Sequence, residues 1–379
     1  MKRSLQLLIT TLLFLAECIL AGPPAYAVTT RNMVCAKKVK VHTARCFAQI
    51  KRSGALPLSS LSFRDGLTPQ DLHTAYGMGT KATHIAIVTA YNAPNALEDL
   101  NTYSGTFGLP KLLVCRSAQQ TGCFAKLSQD GNTNYPANNP SWALEASMDT
   151  QAAHAMCPQC RISLVEANTT SYSDLATAED QAVAVGAKII SNSYGIDESP
   201  LQKQYDIHYH HNGVLITVSS GDSGFGTNWP AASPNVLAVG GTKLVMNGSR
   251  VQSESAWSGA GSGCSKYESK PTWQHDTACA RRSIADVSAV ADPATGAAVY
   301  DSYAVGGEKG WFVVGGTSLA SPIVAGVIAA RGGIANPSQL YAQDSFKDIL
   351  SGKNGSCSNY LCKAGRGYDG PTGLGVLHF

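Results

Sequence analysis

Charge is scarce in this sequence. Asp, Glu, Lys and Arg make up only 15% of the 379 residues, with a formal net charge of +3. No basic stripe runs along the chain, which argues against nucleic acid or an anionic membrane as a partner. Internal repeats and low-complexity tracts are absent, so neither a solenoid nor a disordered segment is indicated. Beyond the first residues, no apolar run is long enough to cross a bilayer as a helix. No histidines accompany the cysteines at metal-ligand spacing, which speaks against a zinc site.

What is present begins with an export pattern. Lys2 and Arg3 precede an apolar run from Leu5 to about Ala16, and Ala25-Tyr26-Ala27 fits a small-x-small cleavage site. Residues 1–27 are therefore expected to be removed as a signal peptide. The remainder is then a soluble, monomeric secreted protein, extracellular or periplasmic, with a formal charge of +2 once Lys2, Arg3 and Glu17 are gone. Cysteine usage agrees. Apart from Cys18 the cysteines fall into five local couples: 35/46, 115/123, 157/160, 264/279 and 357/362. This suits disulfides formed in an oxidising compartment. Cys157-Pro-Gln-Cys160 precedes a strand-like run and does not open a helix, so a disulfide is preferred there to a redox motif.

From about Leu67 short β-branched runs alternate with helical stretches. The runs are His84 to Thr89, Arg161 to Val165, Lys188 to Ser191, Val214 to Ser219 and Val236 to Val239. Helices are expected at Trp142 to Met156 and Ser173 to Val185. This alternation predicts an α/β fold, with a mostly parallel sheet covered by helices on both faces. Residues 67–379 suffice for one large domain. Residues 28–66, with the basic cluster Lys37-Lys38-Val39-Lys40, read as a short leader or N-terminal extension, because about 40 residues bury little core.

Three segments carry chemistry. In Gly315-Gly316-Thr317-Ser318-Leu319-Ala320-Ser321-Pro322 a glycine-flanked serine sits between an apolar run and a helical one. Ser318 is either a nucleophile at a helix N-terminus, where free N–H groups hold a negative oxygen, or a capping residue. Pro322 is expected in the first helical turn, where its missing N–H breaks no bond. Glu145 and Asp149 stand four apart, on one face of a predicted helix. They are either a solvated acidic face or a coupled pair sharing a proton. Asp222, in Ser219-Ser220-Gly221-Asp222-Ser223-Gly224, follows a strand at the sheet end where ligands bind. It either makes local turn bonds or, protonated, donates to a developing oxyanion.

Taken together, and with Leu67-Thr68-Pro69-Gln70-Asp71-Leu72 at its start, the stretch to Phe379 resembles the sedolisins, serine-carboxyl peptidases with a subtilisin-like fold. The resemblance implies Ser318 as nucleophile, Glu145 as its general base, Asp149 as the residue orienting and tuning Glu145, and Asp222 in the oxyanion hole. A carboxylate base with an ordinary pKa of about 4.3 suits acid, and so does an aspartic acid that must stay protonated. The expected activity is therefore an acid-active endopeptidase acting on polypeptide substrates. Ser191-Asn192-Ser193-Tyr194-Gly195 resembles the edge that pairs with extended substrate in this fold.

The same resemblance implies a structural calcium ion, held by the Asp348 and Asp369 side chains and the carbonyls of Ile349, Gly365 and Gly367, a hard oxygen set. Two rival functions stand beside the acid peptidase. One is a neutral Ser-His-Asp protease, for which His154 lies near the acidic pair but no His-Gly-Thr triplet exists. The other is a non-catalytic binding protein on a protease scaffold. Sedolisins usually carry a long propeptide. Here only residues 28–66 stand in that place, and they are expected to be an abbreviated leader without an inhibitory domain.

Overall fold

The computed structural model describes residues 29–36, 39–53, 62–343 and 345–378. The proposed signal peptide lies outside them. Among the described residues no helix is long and apolar enough to cross a membrane.

An 11-stranded sheet forms the centre. Its parallel core runs, in spatial order, Val287–Val290, Leu237–Asn247, Leu215–Ser219, Ile189–Asn192, His84–Ala90, Arg161–Ala167 and Cys123–Ser128. The first four residues of Leu237–Asn247 and nearly all of the other core strands are buried, as continuous Val/Ile/Ala runs require when both faces are covered. The expected strands and helices are present with ends shifted by a residue or two, although Leu237–Asn247 extends well past Val239 to pair antiparallel with Arg250–Ala256.

Three helices matter for the site. Pro140–Met156 starts on Asn139, whose side chain accepts from Ser141 N–H and Trp142 N–H, with proline at its first position. Thr317–Ala329 follows the strand Glu308–Gly315 through Gly316, whose φ of 102° only glycine adopts without strain. Tyr172–Ala184 packs on Arg161–Ala167 and His84–Ala90.

Pro140–Met156 and Thr317–Ala329 lie side by side. A Cβ at Gly326 would come within 2.6 Å of Met156 Cβ and 2.9 Å of Ala153 O, so only glycine permits this approach. Eight residues earlier on each helix stand Ser318 and Glu145. The close contact at one end therefore sets the register at the other.

The expected helix start needs correction. The helix begins at Thr317, so Pro322 lies inside it, in its second turn. Its ring nitrogen cannot donate to the carbonyl one turn back, which is that of Ser318. That carbonyl instead accepts from Ser193 Oγ at 3.0 Å.

All five cysteine couples form disulfides: Cys35–Cys46, Cys115–Cys123, Cys157–Cys160, Cys264–Cys279 and Cys357–Cys362. The described part of the N-terminal extension is built into the fold. Thr29–Met33 pairs with Gln49–Ser53, which pairs in turn with Glu308–Gly315 and so with Ala297–Val305, giving a second, four-stranded sheet.

Candidate active site

Ser318 is fully buried at the second position of its helix. Its hydroxyl donates to Ser193 O at 3.1 Å and accepts from Phe47 N–H at 3.0 Å. Glu145 and Asp149 reach the same place from Pro140–Met156. Both are wholly inaccessible to solvent, which rules out the solvated acidic face.

Burial pushes Glu145 well above the usual carboxylate range, and the neighbouring Asp149 adds to the shift. The Ser318 hydroxyl and Ala48 N–H, which donates to Glu145 Oε2 at 3.0 Å, oppose it. Asp149 is also raised by burial, against a hydrogen bond from Ser193 Oγ at 2.9 Å. Among the described residues no cation forms an ion pair with either acid. Two bare carboxylates in such surroundings would each carry a desolvation penalty of several kcal/mol. Burial therefore favours the neutral form of both acids.

Asp222 stands on the turn after Leu215–Ser219. Its Oδ1 accepts from Thr317 N–H and Thr317 Oγ1, both at 2.8 Å, and its Oδ2 accepts from Gln49 Nε2 at 2.7 Å. Burial pushes it up to about 7 despite these bonds and the nearby Arg45 charge. Thr317 also accepts from Gly221 N–H at 3.0 Å, tying the aspartate turn to the serine helix.

His154 belongs elsewhere. Its Nε2 meets Pro110 O at 2.9 Å, and burial lowers it to about 4, so its ring is engaged by the Pro110 loop.

The strand Tyr194–Asp197 leaves the central sheet for a small antiparallel one, between Asn228–Trp229 and Arg45–Cys46. The edge expected to bind substrate is thus occupied by the chain's own N-terminal extension. Sequence reasoning missed Phe47, Ala48 and Gln49, which no local pattern marks. It also passed over Thr317, whose place directly before the serine was the available signal.

Asp348 and Asp369 approach each other in the C-terminal loops. Asp348 Oδ2 accepts from Gly367 N–H at 2.7 Å, and Asp369 Oδ2 from Gly365 N–H at 3.0 Å. Asp369 also binds Thr372 N–H and hydroxyl through Oδ1. Burial pushes Asp369 up to about 7, with Asp348 repelling it. Asp348 Oδ1 is buried without a protein partner. Among the described residues no three His, Cys, Asp or Glu side chains gather as a metal cluster. The expected donor set, two carboxylates and backbone carbonyls, needs no such group, and the orphaned Oδ1 is compatible with it.

Comparison with known proteins comes to the same fold. Residues 137–353, more than half of the chain, match the subtilase family. Sedolisin of Pseudomonas sp. is 29% identical over a stretch covering 86% of this chain and 62% of its own length. Kumamolisin of a Bacillus species is 30% identical, covering 66% of this chain and 52% of its own. The chain thus spans little more than half the length of these relatives. The solved structure of Pseudomonas sedolisin, a serine-carboxyl proteinase complexed with two molecules of pseudo-iodotyrostatin, superposes with a TM-score of 0.69 at 28% identity, covering 83% of this chain and 95% of that one. A lanthipeptide protease matches at a TM-score of 0.52 and 15% identity, covering 86% and 96%, a likeness of fold alone. With its parallel sheet, its serine helix and its buried acids in this arrangement, the chain belongs to the sedolisin family, on the subtilisin-like fold of the subtilases.

Proposed function

We propose that the protein is a secreted serine-type endopeptidase that works in acid through Ser318, Glu145, Asp149 and Asp222. One observation carries the reading: three buried acids with raised pKa values surround one buried serine, while the nearby histidine is engaged by the Pro110 loop.

In this mechanism Ser318 Oγ attacks a peptide carbonyl and its proton passes to Glu145. The proton shared with Asp149 leaves the pair with one negative charge, which is what a base needs in a buried site. Asp222, protonated below about pH 7, donates to the oxyanion beside the serine helix N-terminus. Glu145 then delivers its proton to the leaving amine, and water releases the acyl group by the reverse path. The cleft favours internal cleavage. The strand lying in it continues upstream through Ala44 and Thr43, against Thr170 and Ser171, so it is not closed a few residues from the serine.

Calcium is proposed as a structural ion only. Asp348, Asp369 and the Ile349, Gly365 and Gly367 carbonyls would hold it, and its charge would fasten the C-terminal loops. The five disulfides support export.

The test is hydrolysis of an unfolded protein between pH 2 and 8, by wild type, Ser318→Ala and Glu145→Gln. Activity confined to acid and lost in both variants is expected. Activity that peaks near neutrality and survives Glu145→Gln would return the case to a histidine base.

A further inference from the structure

The strand edge at Ser191 to Gly195 has two sides. On one, Ser193 Oγ holds Asp149 and the Ser318 carbonyl, and Ser191 Oγ meets Ser321 Oγ at 3.0 Å. Side chains along an extended chain alternate between faces. Asn192 and Tyr194 therefore point the other way, towards the helix Tyr172–Ala184.

A buried carboxyl awaits them there. Glu179 lies in the middle of that helix, wholly inaccessible to solvent, as are Asn192, Tyr194 and Tyr209. The Tyr194 and Tyr209 hydroxyls are 3.0 Å apart and share a hydrogen bond. Glu179 and Asn192 differ from them. Neither Glu179 Oε1 nor Oε2 has a hydrogen-bond partner in the chain, and neither does Asn192 Nδ2 nor Oδ1. Buried polar groups are rarely left in that condition. These four atoms complement one another in one protonation state only. A protonated carboxyl offers one donor and one acceptor, and so does one edge of a primary amide. Together they close a ring of two hydrogen bonds, O–H to the Asn192 oxygen and N–H to the Glu179 oxygen. An ionised carboxyl has no donor and would set a bare oxygen against Asn192 Oδ1.

The surroundings favour the proton. Burial pushes Glu179 well above the usual carboxylate range and Asp180 adds to the shift, with the Asn192 amide alone opposing it. Tyr194 from the strand edge and Tyr209 from the turn Asp206–Tyr209 face Glu179. Both are raised, by burial first and by the Glu179 charge as well, so both are neutral. In that turn Asp206 is engaged by Trp229 Nε1 and His208 by Asp180. On the strands under the helix, His84 meets Ser163, Arg161 the Ser117 and Ala118 carbonyls, and Glu166 Lys126.

The place of this pair gives it a task. Asn192 is the last residue of its strand, where the pairing with Val88 and Val218 stops. The next pairing, of Tyr194 with Cys46, belongs to another sheet. Ser193 thus stands in the gap between two sheets, where side chains and not ladder bonds must hold it. We propose that Glu179 is a positioning residue of the cutting site: protonated, it closes an acid–amide ring with Asn192 and so fixes Ser193 against Ser318 from behind. The proposal rests on the peptidase reading above. Loss of the Glu179 proton opens the ring and frees the residue that holds Asp149 and the Ser318 carbonyl.

The experiment uses the full chain, held at pH 4 until its activity is constant, with a fluorescence-quenched unfolded protein as substrate. Wild type, Glu179→Gln, Glu179→Leu, Asn192→Leu and the double Leu variant are compared well below their melting temperatures. Glu179→Leu should lower kcat about ten-fold or more and change KM by less than about two-fold, because Ser193 touches the reacting groups. Asn192→Leu should lose as much, and the double variant no more than either single one, since the two side chains act as a unit. Glu179→Gln keeps an amide–amide ring and should stay within about three-fold of wild type. The infrared spectrum of wild type should carry a protonated-carboxyl band that is missing in Glu179→Gln. Where Glu179→Leu does not fold, the Gln variant and the infrared band decide the matter. Wild-type kcat in Glu179→Leu, a Gln variant as slow as the Leu variant, or no band lost in Glu179→Gln would each overturn the proposal and leave the peptidase standing. A wild type that cuts no unfolded protein between pH 2 and 8 would overturn the peptidase reading itself.

Discussion

Two pairs of acids in this molecule meet at close quarters, and they are held in different ways. Glu145 and Asp149 stand one turn apart on a helix buried on every face, and Ser193, Ser318 and the Ala48 N–H are their partners. Asp348 and Asp369 come together from loops, through glycine N–H groups, leaving one buried oxygen without a partner. Both pairs leave buried oxygens without a protein partner, Glu145 Oε1 and Asp149 Oδ2 on the helix and Asp348 Oδ1 in the loops. On the proposed reading the helical pair, closed to solvent, settles its repulsion with a proton, while the loop pair, where Asp348 is only half-buried, offers its oxygen to a cation. Orphaned oxygens alone do not tell a base from a cation site. The exposure does.

The comparison breaks most sharply at Glu145. Glu145→Gln keeps the shape, removes the base, and should lower kcat/KM on a peptide substrate by about 10³-fold or more. Its melting temperature should be unchanged or higher, because a buried ionisable group is gone. Asp149→Asn should cost less, about 10²-fold, and should move the acid limb of the pH–rate profile because the pair no longer shares a proton. A profile that does not move would mean that the pair titrates as two separate acids.

The loop pair is tested by chelation. Removing calcium should lower the melting temperature by the equivalent of about 2–4 kcal/mol of linked binding energy. In Asp369→Ala, calcium and chelator should give the same melting curve. An unchanged wild-type curve would remove the ion from the account.

Acid stability comes next in size. Asp222 and Asp301 are both pushed up to about 7, first of all by burial, as is Glu166. Groups raised in the folded state contribute stability that is complete below their unfolded values near 4 and is lost as pH rises through about 7. Melting temperature, measured in excess calcium, should therefore fall between pH 4 and pH 7. A rise over that window would contradict the buried-acid picture.

The smallest effect is expected at Pro322. Pro322→Ala restores a helical N–H that competes with Ser193 Oγ for the Ser318 carbonyl. It should change stability by less than about 1 kcal/mol and kcat/KM by only a few-fold. A loss as large as that of Glu145→Gln would mean that the proline shapes the nucleophile directly.

Much of this was legible in the sequence. The β-branched runs marked the parallel strands because both sheet faces are covered, and the cysteine couples paired as neighbours because each closes a short loop. The serine, the two helical acids and the turn aspartate stood out by residue type and spacing, and the fold brings them to one place; their catalytic roles belong to the proposed function. Other features were not legible. The burial of Glu145 depends on a second helix brought close by Gly326, a contact between positions more than 170 residues apart. The helix start at Thr317 was hidden by Pro322, which ordinarily marks a first turn. The path of Phe47 through the cleft rests on strand pairing with Gly195 and Gly315, and nothing near Phe47 in the chain encodes it.

Pro322 has one more consequence. By leaving the Ser318 carbonyl without a helical donor, it lets one hydroxyl, that of Ser193, bridge that carbonyl and Asp149. The Ser318 hydroxyl returns the connection by donating to the Ser193 carbonyl. The strand edge at Ser193 and the helix that carries Ser318 are keyed together like a latch and its plate, and a displacement of either is felt by the other.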